Sequence, residues 1–380
     1  MSQRATRLLW AMVAAGLLAR LVLAFAFYGQ PYDQDSFAMV RESLAQSPLD
    51  VYGNVGEFRW PYPPAYFLWI AAADGIADLT GLAFHGLINL PAMAADVGIA
   101  WIVQAHLGRR GADETKRLAA AGLVLVGPAF IAISGYHGQI DSVAILPAVA
   151  AVALWDARGP RRALAAGALI GLGIAVKTIP GLMLLALLPS ARSKREAVTL
   201  VGAAAAVPLV LLVAYLVNDP DVVTRALEYP PRGTAGGIGL ISTVSSNPVV
   251  EALLDHATLW NATWLAAVAL VLWRARPAPT RAAVIVWLAA YAFATGFYLN
   301  YFVWGLSFIL LDGGLVAAAA IQAVALVPMV VTYAGLFGSW IAARAFDVPM
   351  LALWLAFCVA LALRVREALV AADRNEAPAV

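Results

Sequence analysis

The chain has 380 residues, 62% of them hydrophobic and 13% charged, with a mean hydropathy of +0.80 and a net charge of +2. Soluble domains carry roughly 45–50% apolar and about 25% charged residues, so the composition excludes an ordinary soluble domain and predicts a polytopic membrane protein. A charge this close to neutral, with no basic-aromatic strip, argues against nucleic acid as a partner. A single cysteine, Cys358, excludes an internal disulfide.

A membrane-spanning helix needs about 20 apolar residues. Candidate runs lie at 8–28, 62–79, 84–107, 118–134, 141–156, 163–188, 197–217, 259–274, 281–299, 301–311, 314–336 and 347–366. They predict an all-α bundle of about 11–12 membrane helices. Its two modules are 1–217 and 218–380, the second opening with the long loop 218–258. The first run follows Arg4 and Arg7 and reads as an uncleaved anchor, with Arg20 placed to snorkel to an interface. Basic clusters at Arg109/Arg110, Arg161/Arg162, Arg192/Lys194, Arg274/Arg276 and Arg364/Arg366 are expected on the cytoplasmic side. That puts loops 29–61 and 218–258, with the turns at 136–141, 298–304 and 337–346, on the other face. Parity closes only if two segments do not simply cross. Segment 62–79, with Asp74 and Asp78, is expected to cross incompletely, and 163–188 is expected to break at Lys177–Gly181 as a re-entrant hairpin.

The first loop is too long and too rich for a connector. It opens with Asp33 and Asp35 and closes with Phe58, Trp60, Tyr62 and Tyr66 around Pro63-Pro64, so it is expected to floor an active site outside the cytoplasm. A carboxylate there can deprotonate a sugar hydroxyl, and two at this spacing can hold a divalent cation. Two solvated loop acids are the plain alternative. The turn Gly135–Ser142 brings His137, Gln139 and Asp141 between two apolar runs; it reads either as a ligand-binding turn or as a bare turn with a helix cap. Lys177 lies fourteen residues into its apolar segment, about 21 Å deep. An ammonium at that depth calls for an anion or a cavity. A lipid phosphate is the functional partner and an ion pair with Asp96 the structural one. The aromatic turn around Tyr301 and Trp304 reads as an interfacial belt or as a wall for a sugar or isoprenoid. Loop 218–258, with Glu228, Tyr229, Arg232, His256 and the run Gly233–Gly237, reads as a gate or as a plain connector. The scattered histidines and lone cysteine build no His/Cys metal site.

The order of these motifs carries more than any one of them. An acidic first loop precedes Trp60-Pro61-Tyr62-Pro63-Pro64. Asn89–Asp96, Gly127-Pro128, Gly138–Ser142, Gly171–Pro180 and Tyr301–Trp304 follow in turn. Over residues 8–310 this resembles the GT-C superfamily of integral-membrane glycosyltransferases. The likeness is greatest to bacterial polyprenol-phosphate-dependent mannosyltransferases, and the layout is similar to the catalytic subunit of GPI mannosyltransferase I. The resemblance implies transfer of a hexose, mannose by family precedent, from a polyprenyl-phosphate sugar donor to an extracytoplasmic lipid or glycan acceptor, with inversion. It implies a first-loop aspartate as base, Asp35 first for its register to Val51-Tyr52 and Asp33 second. Asp141 matches the family's later aspartate. A phosphate-binding lysine of some relatives is replaced by Tyr62, which leaves Lys177 to supply the phosphate contact. His137, Gln139, Asp141, Tyr301 and Trp304 are then expected around sugar or acceptor. A monophosphate donor does not require a metal, although a divalent cation on Asp33/Asp35 stays open. Gly127-Pro128 departs from the Asn-Pro of many members.

Two other classes compete: a lipid-linked sugar flippase or transporter, and a non-catalytic lipid-binding scaffold. The first would show matched broken helices in its two halves, whereas the intramembrane charges here crowd into residues 20–177. The second has no use for a long acidic loop.

Overall fold

The computed structural model describes residues 1–56, 59–156, 161–227, 255–336 and 338–376. Every regular element among them is a helix. Six are long and apolar enough to cross a membrane: Gln3–Ala26, Phe84–Arg109, Glu114–His137, Lys194–Asn218, Leu315–Tyr333 and Trp340–Arg374. Five shorter apolar helices accompany them, at Asp141–Trp155, Arg162–Val176, Ile179–Ser190, Pro279–Phe293 and Leu299–Leu311. The polytopic all-α class expected from composition therefore holds.

The chain forms two compact units, Met1–Gly181 with Val198–Tyr229, and Leu182–Ala197 with Pro230–Val380. The chain leaves the first unit after Gly181 and returns to it at Val198.

In the first unit, α1 (Gln3–Ala26) is capped by the Ser2 side chain, which accepts from the Ala5 amide. Loop 29–61 is largely helical: α2 (Pro31–Gln46) starts with proline in its first turn, where a missing N–H costs nothing, and α3 (Val51–Val55) follows. The aromatic end of the loop is mostly core. Trp60 and Tyr66 are buried with Phe37, Tyr52, Phe67 and Ile70, and the Tyr66 hydroxyl donates to Ile88 O (2.6 Å). Each such side chain stabilises the layer by about 1.5–3 kcal/mol. Of the four loop aromatics, Tyr62 reaches the polar site, while Phe58 lies outside the described residues.

Helix α4 (Phe67–Thr80) has 14 residues and ends on Gly81, which takes a left-handed cap (φ 70°). At 1.5 Å per residue it spans about 21 Å. Then come α5 (Phe84–Ile88), α6 (Leu90–Arg109), α7 (Glu114–Leu125) and α8 (Pro128–Ile131). A π-helical turn over Ala132–His137 leads into α9 (Asp141–Trp155), which packs along α10 (Arg162–Val176).

Helix α10 stops at Lys177, whose backbone is extended (φ −145°, ψ 144°). A 3-10 turn over Ile179–Leu182 leads into α11 (Met183–Leu187) of the second unit. Helix α12 (Lys194–Asn218) returns, burying one narrow stripe of Leu200, Ala204, Pro208 and Leu212. Gly167 and Gly171 let it approach: a Cβ on either would sit 2.4 Å from Leu200 O or 2.8 Å from Ala204 O. This is the small-residue packing that membrane helices use where apolar burial drives nothing. The rest of α12 exposes Val198, Leu209, Val210, Val213 and Val217, as a lipid-facing surface requires. Helix α13 (Pro220–Leu227) closes the unit.

The second unit holds helices over Ala257–Ala275, Pro279–Phe293, Phe302–Leu311, Leu315–Tyr333 and Trp340–Glu376. Tyr291 is its central polar anchor, accepting from the Gly305 amide (2.6 Å) and lying 2.8 Å from Phe302 O. An apolar cavity of about 300 Å³ lies beside Leu288, Ile321 and Phe357.

Candidate active site

Three interruptions of helix bring the polar groups of the first unit together. At the first, Gly29 turns with φ +87°, and Gln30 N donates to His137 O (3.3 Å) as α2 begins. Asp33 and Asp35 both lie in α2, and residues two apart on an α-helix diverge by about 200°. Their side chains therefore leave the helix on different sides, Asp33 toward His137 and Gln139 and Asp35 toward Tyr28. Among the described residues no group of three or more His, Cys, Asp or Glu could hold a metal ion.

The second interruption is the π-turn Ala132–His137, closed by Gly138 at φ +85°. Extra-wide turns of this kind are uncommon and recur at functional sites. The third is the extended Lys177 at the end of α10.

The result is one hydrogen-bonded chain. His137 Nε2 is 2.6 Å from Asp33 Oδ2, and Gln139 Nε2 donates to Asp33 Oδ1 (2.6 Å). Lys177 Nζ donates to Gln139 Oε1 (2.8 Å) and to Asp141 Oδ1 (2.7 Å). The ammonium also lies 4.7 Å from the centre of the Tyr62 ring, within cation–π range. Asp141 and Lys177 are 0% and 3% exposed, whereas the Asp33 side chain is 20% exposed, so the chain opens at its Asp33 end. Burial by itself would raise the pKa of Asp33. The His137 hydrogen bond and charge, the Gln139 amide and the Lys177 charge outweigh it and hold the carboxyl below its ordinary value.

Asp35 is outside this chain; it accepts from the Tyr28 hydroxyl (2.8 Å), whose pKa is raised by partial burial and by that carboxylate. Of the two loop acids, the geometry joins Asp33 rather than Asp35 to Lys177. Two structural readings of the intramembrane charges are overturned. Lys177 pairs with Asp141 and not with Asp96, and Arg20 does not snorkel but is 1% exposed and bonded to Asp96 (3.0 Å). Both follow from the cost of an unpaired charge in hydrocarbon, which each cation avoids with the nearest acid.

Tyr301 and Trp304 lie in the second unit, stacked on each other at 3.8 Å. His256 precedes the helix Ala257–Ala275. Glu228, Tyr229, Arg232 and Gly233–Gly237 are outside the described residues. Residues that sequence reasoning missed are Gln34, whose Nε2 is 3.4 Å from Asn89 Oδ1, together with Ser134 and Ser142, both on Asp96 at 2.6 Å. Ser142 stood next to Asp141 in a quoted motif; nothing local marked Ser134.

Comparison with known proteins adds two findings. The profile of glycosyltransferase family 87 matches residues 60–311. The crystal structure of ArnT from Cupriavidus metallidurans in the apo state aligns with a TM-score of 0.57 at 16% identity, over 97% of this chain and 74% of that one. At that identity the likeness is one of fold. No curated protein matches.

Proposed function

The chain belongs to glycosyltransferase family 87, a GT-C-type family of membrane glycosyltransferases, and from that premise we propose that it moves a hexose from a polyprenyl monophosphate to a lipid or glycan acceptor outside the cytoplasm. Mannose is the first candidate sugar. The observation that carries the proposal is the unbroken chain Asp33–Gln139–Lys177–Asp141. It links an ionised carboxylate at the open end to a buried cation, the two charges that displacement of a phosphate from an anomeric carbon requires.

Asp33 is assigned as general base. As the acceptor oxygen bonds to the anomeric carbon, its hydroxyl proton passes to Asp33. The bond from that carbon to the phosphate oxygen breaks, and its electron pair leaves with polyprenyl phosphate. One in-line displacement inverts the anomeric centre, unlike the two-carboxylate scheme of glycoside hydrolysis. The leaving group needs charge stabilisation rather than a proton, and Lys177 is assigned that role, with Tyr62 against its ammonium. Asp141 holds Lys177 in place; Gln139 and His137 orient Asp33 through its two oxygens. Asp35 is assigned no proton transfer.

The test is transfer of labelled sugar from polyprenyl-phosphate donors in membranes holding the wild type, Asp33→Asn or Asp35→Asn, with and without chelator. Loss of transfer with retained donor binding in Asp33→Asn supports the proposal. A wild type that transfers no sugar from any such donor, or that only moves the lipid across the membrane, refutes it.

A further inference from the structure

A second charged centre, Arg20 with Asp96, is buried in the same unit as the proposed site. Arg20 of α1 is buried, and each nitrogen of its guanidinium donates to an oxygen. Nη1 donates to Gly16 O (3.0 Å) and Leu125 O (2.5 Å), and Nη2 to Val124 O (2.9 Å), with Nη2 also 3.0 Å from Asp96 Oδ2 in an ion pair. Nε lies 3.0 Å from Asp96 Oδ2 and 2.8 Å from Ser134 Oγ. The carbonyls of Val124 and Leu125 belong to the end of α7, where Gly127-Pro128 interrupts the helix and leaves acceptors without intrahelical donors. A guanidinium so saturated has nothing left for a phosphate; its role is to hold other groups.

What it holds is given by Asp96. Ser134 Oγ is 2.6 Å from Asp96 Oδ2, and Ser142 Oγ donates to Asp96 Oδ1 (2.6 Å). Ser134 lies in the π-turn three residues before His137, and Ser142 directly follows Asp141. The two oxygens of one carboxylate thus grip the two segments that carry the site. Close approach is built in: a Cβ on Gly16 would meet Leu125 O at 2.2 Å, and one on Gly135 would meet Arg20 Cα at 2.9 Å. Solubility or helix capping would not need a buried pair that spends each oxygen on a different segment of the site.

We infer that Arg20 and Asp96 form a positioning clamp, in which Ser134 sets the register of His137 toward the base and Ser142 sets that of Asp141 and Lys177 toward the donor phosphate. The inference rests on the transferase reading for the meaning of those two halves. It predicts that the two hydroxyls, bonded to the same carboxylate, have separable effects. Each of these hydrogen bonds to a charged group is worth about tenfold.

The experiment compares Ser134→Ala, Ser142→Ala and the threonine variant at each position, with full-length protein in detergent or proteoliposomes. Binding of polyprenyl monophosphate and, separately, kcat and KM for transfer are measured. Ser142→Ala is expected to weaken polyprenyl-phosphate binding and raise the donor KM about tenfold. Ser134→Ala should leave both within about twofold and lower kcat about tenfold. Threonine, which keeps the hydroxyl, should restore each. Equal effects of the two alanine variants, or wild-type binding and kinetics with only the melting temperature lowered, would overturn the clamp. If the wild type binds the lipid phosphate but transfers no sugar, the transferase reading fails, and the binding arm alone then decides the Ser142 half.

Discussion

Removing the Lys177 ammonium separates its structural work from its chemical work. Lys177→Met keeps the length of the side chain but leaves Asp141, 0% exposed, without its cation 2.7 Å away. Breaking a buried pair from one side costs about 3–5 kcal/mol, a large part of a typical stability of about 5–15 kcal/mol, so the single variant is expected to yield little folded protein. Pairing it with Asp141→Asn removes the orphaned charge. The double variant should regain most of that loss, read as a melting temperature near wild type in detergent. Transfer should not return with it. A cation placed where charge develops on a leaving phosphate is worth about 10²–10³ in rate, or about 2.7–4 kcal/mol at 1.36 kcal/mol per tenfold. The assay is labelled-sugar transfer at saturating donor, normalised to folded protein. A stable double variant within about tenfold of the wild-type rate would refute the assignment of Lys177 and leave it a structural counter-ion.

Asp33→Asn should lower kcat by about 10²–10⁴ with donor binding kept, while Asp35→Asn, outside the chain, should cost less than about tenfold; the reverse ranking would move the base to Asp35. Because its partners hold the Asp33 carboxyl below its ordinary value, Asp33 stays ionised down past the usual aspartate range. Its stabilising contribution is present above the unfolded-state pKa and is lost as pH falls through the lower folded one. The acid limb of the rate profile is therefore expected below the ordinary carboxylate range and should vanish in Asp33→Asn. Gly138→Ala combines φ +85° with a Cβ that would fall 2.0 Å from Gln34 Nε2. Gln34 must move even if the backbone strain of about 1–2 kcal/mol is tolerated, so kcat should fall with little change in donor KM. Chelation is expected to leave transfer within about twofold, since the two loop acids diverge by about 200° on one helix. Loss restored by added divalent cation would show otherwise.

The sequence made the helical class, the broken segment at Lys177 and most members of the polar chain legible, because each is local. A cation fourteen residues into an apolar run, or a histidine and an acid in a glycine turn, is costly enough to announce itself. What it could not supply were pairings. Register to Val51-Tyr52 puts Asp35 ahead of Asp33 on paper; the geometry reverses that order only because residues 31–46 are helical and begin at a proline that sequence pattern alone leaves in a loop. Likewise Lys177, Arg20, Asp96 and Asp141 permit two pairings by charge alone. The observed one depends on where the π-turn and the ends of α9 and α10 fall in space. Trp60 and Tyr66 read from the sequence as part of an active-site floor yet are mostly core, because aromatic residues in a loop are ambiguous until their burial is known.

Helices that end within the bundle also explain why a polar chain can exist inside so apolar a protein. A continuous helix satisfies its own backbone and offers only side chains, each needing its own partner. A helix that ends within the bundle exposes carbonyls and amides that must be answered there. At the end of α7 the answer is Arg20, and Arg20 in turn brings Asp96 within reach of Ser134 and Ser142. At the end of α10 the extended Lys177 turns its ammonium to Asp141 and Gln139 rather than lying along a lipid-facing helix. Each break thus supplies both the need for a charged group and the geometry that holds it. The substitution that most economically dismantles the site is therefore expected to repair a break, not to remove a charge. Restoring helical continuity by replacing Gly127-Pro128 with alanines should satisfy the α7 carbonyls internally, deprive Arg20 of two acceptors and loosen both serines. Activity should fall while helix content is unchanged or higher by circular dichroism. Full activity in that variant would mean that the breaks are incidental to the site.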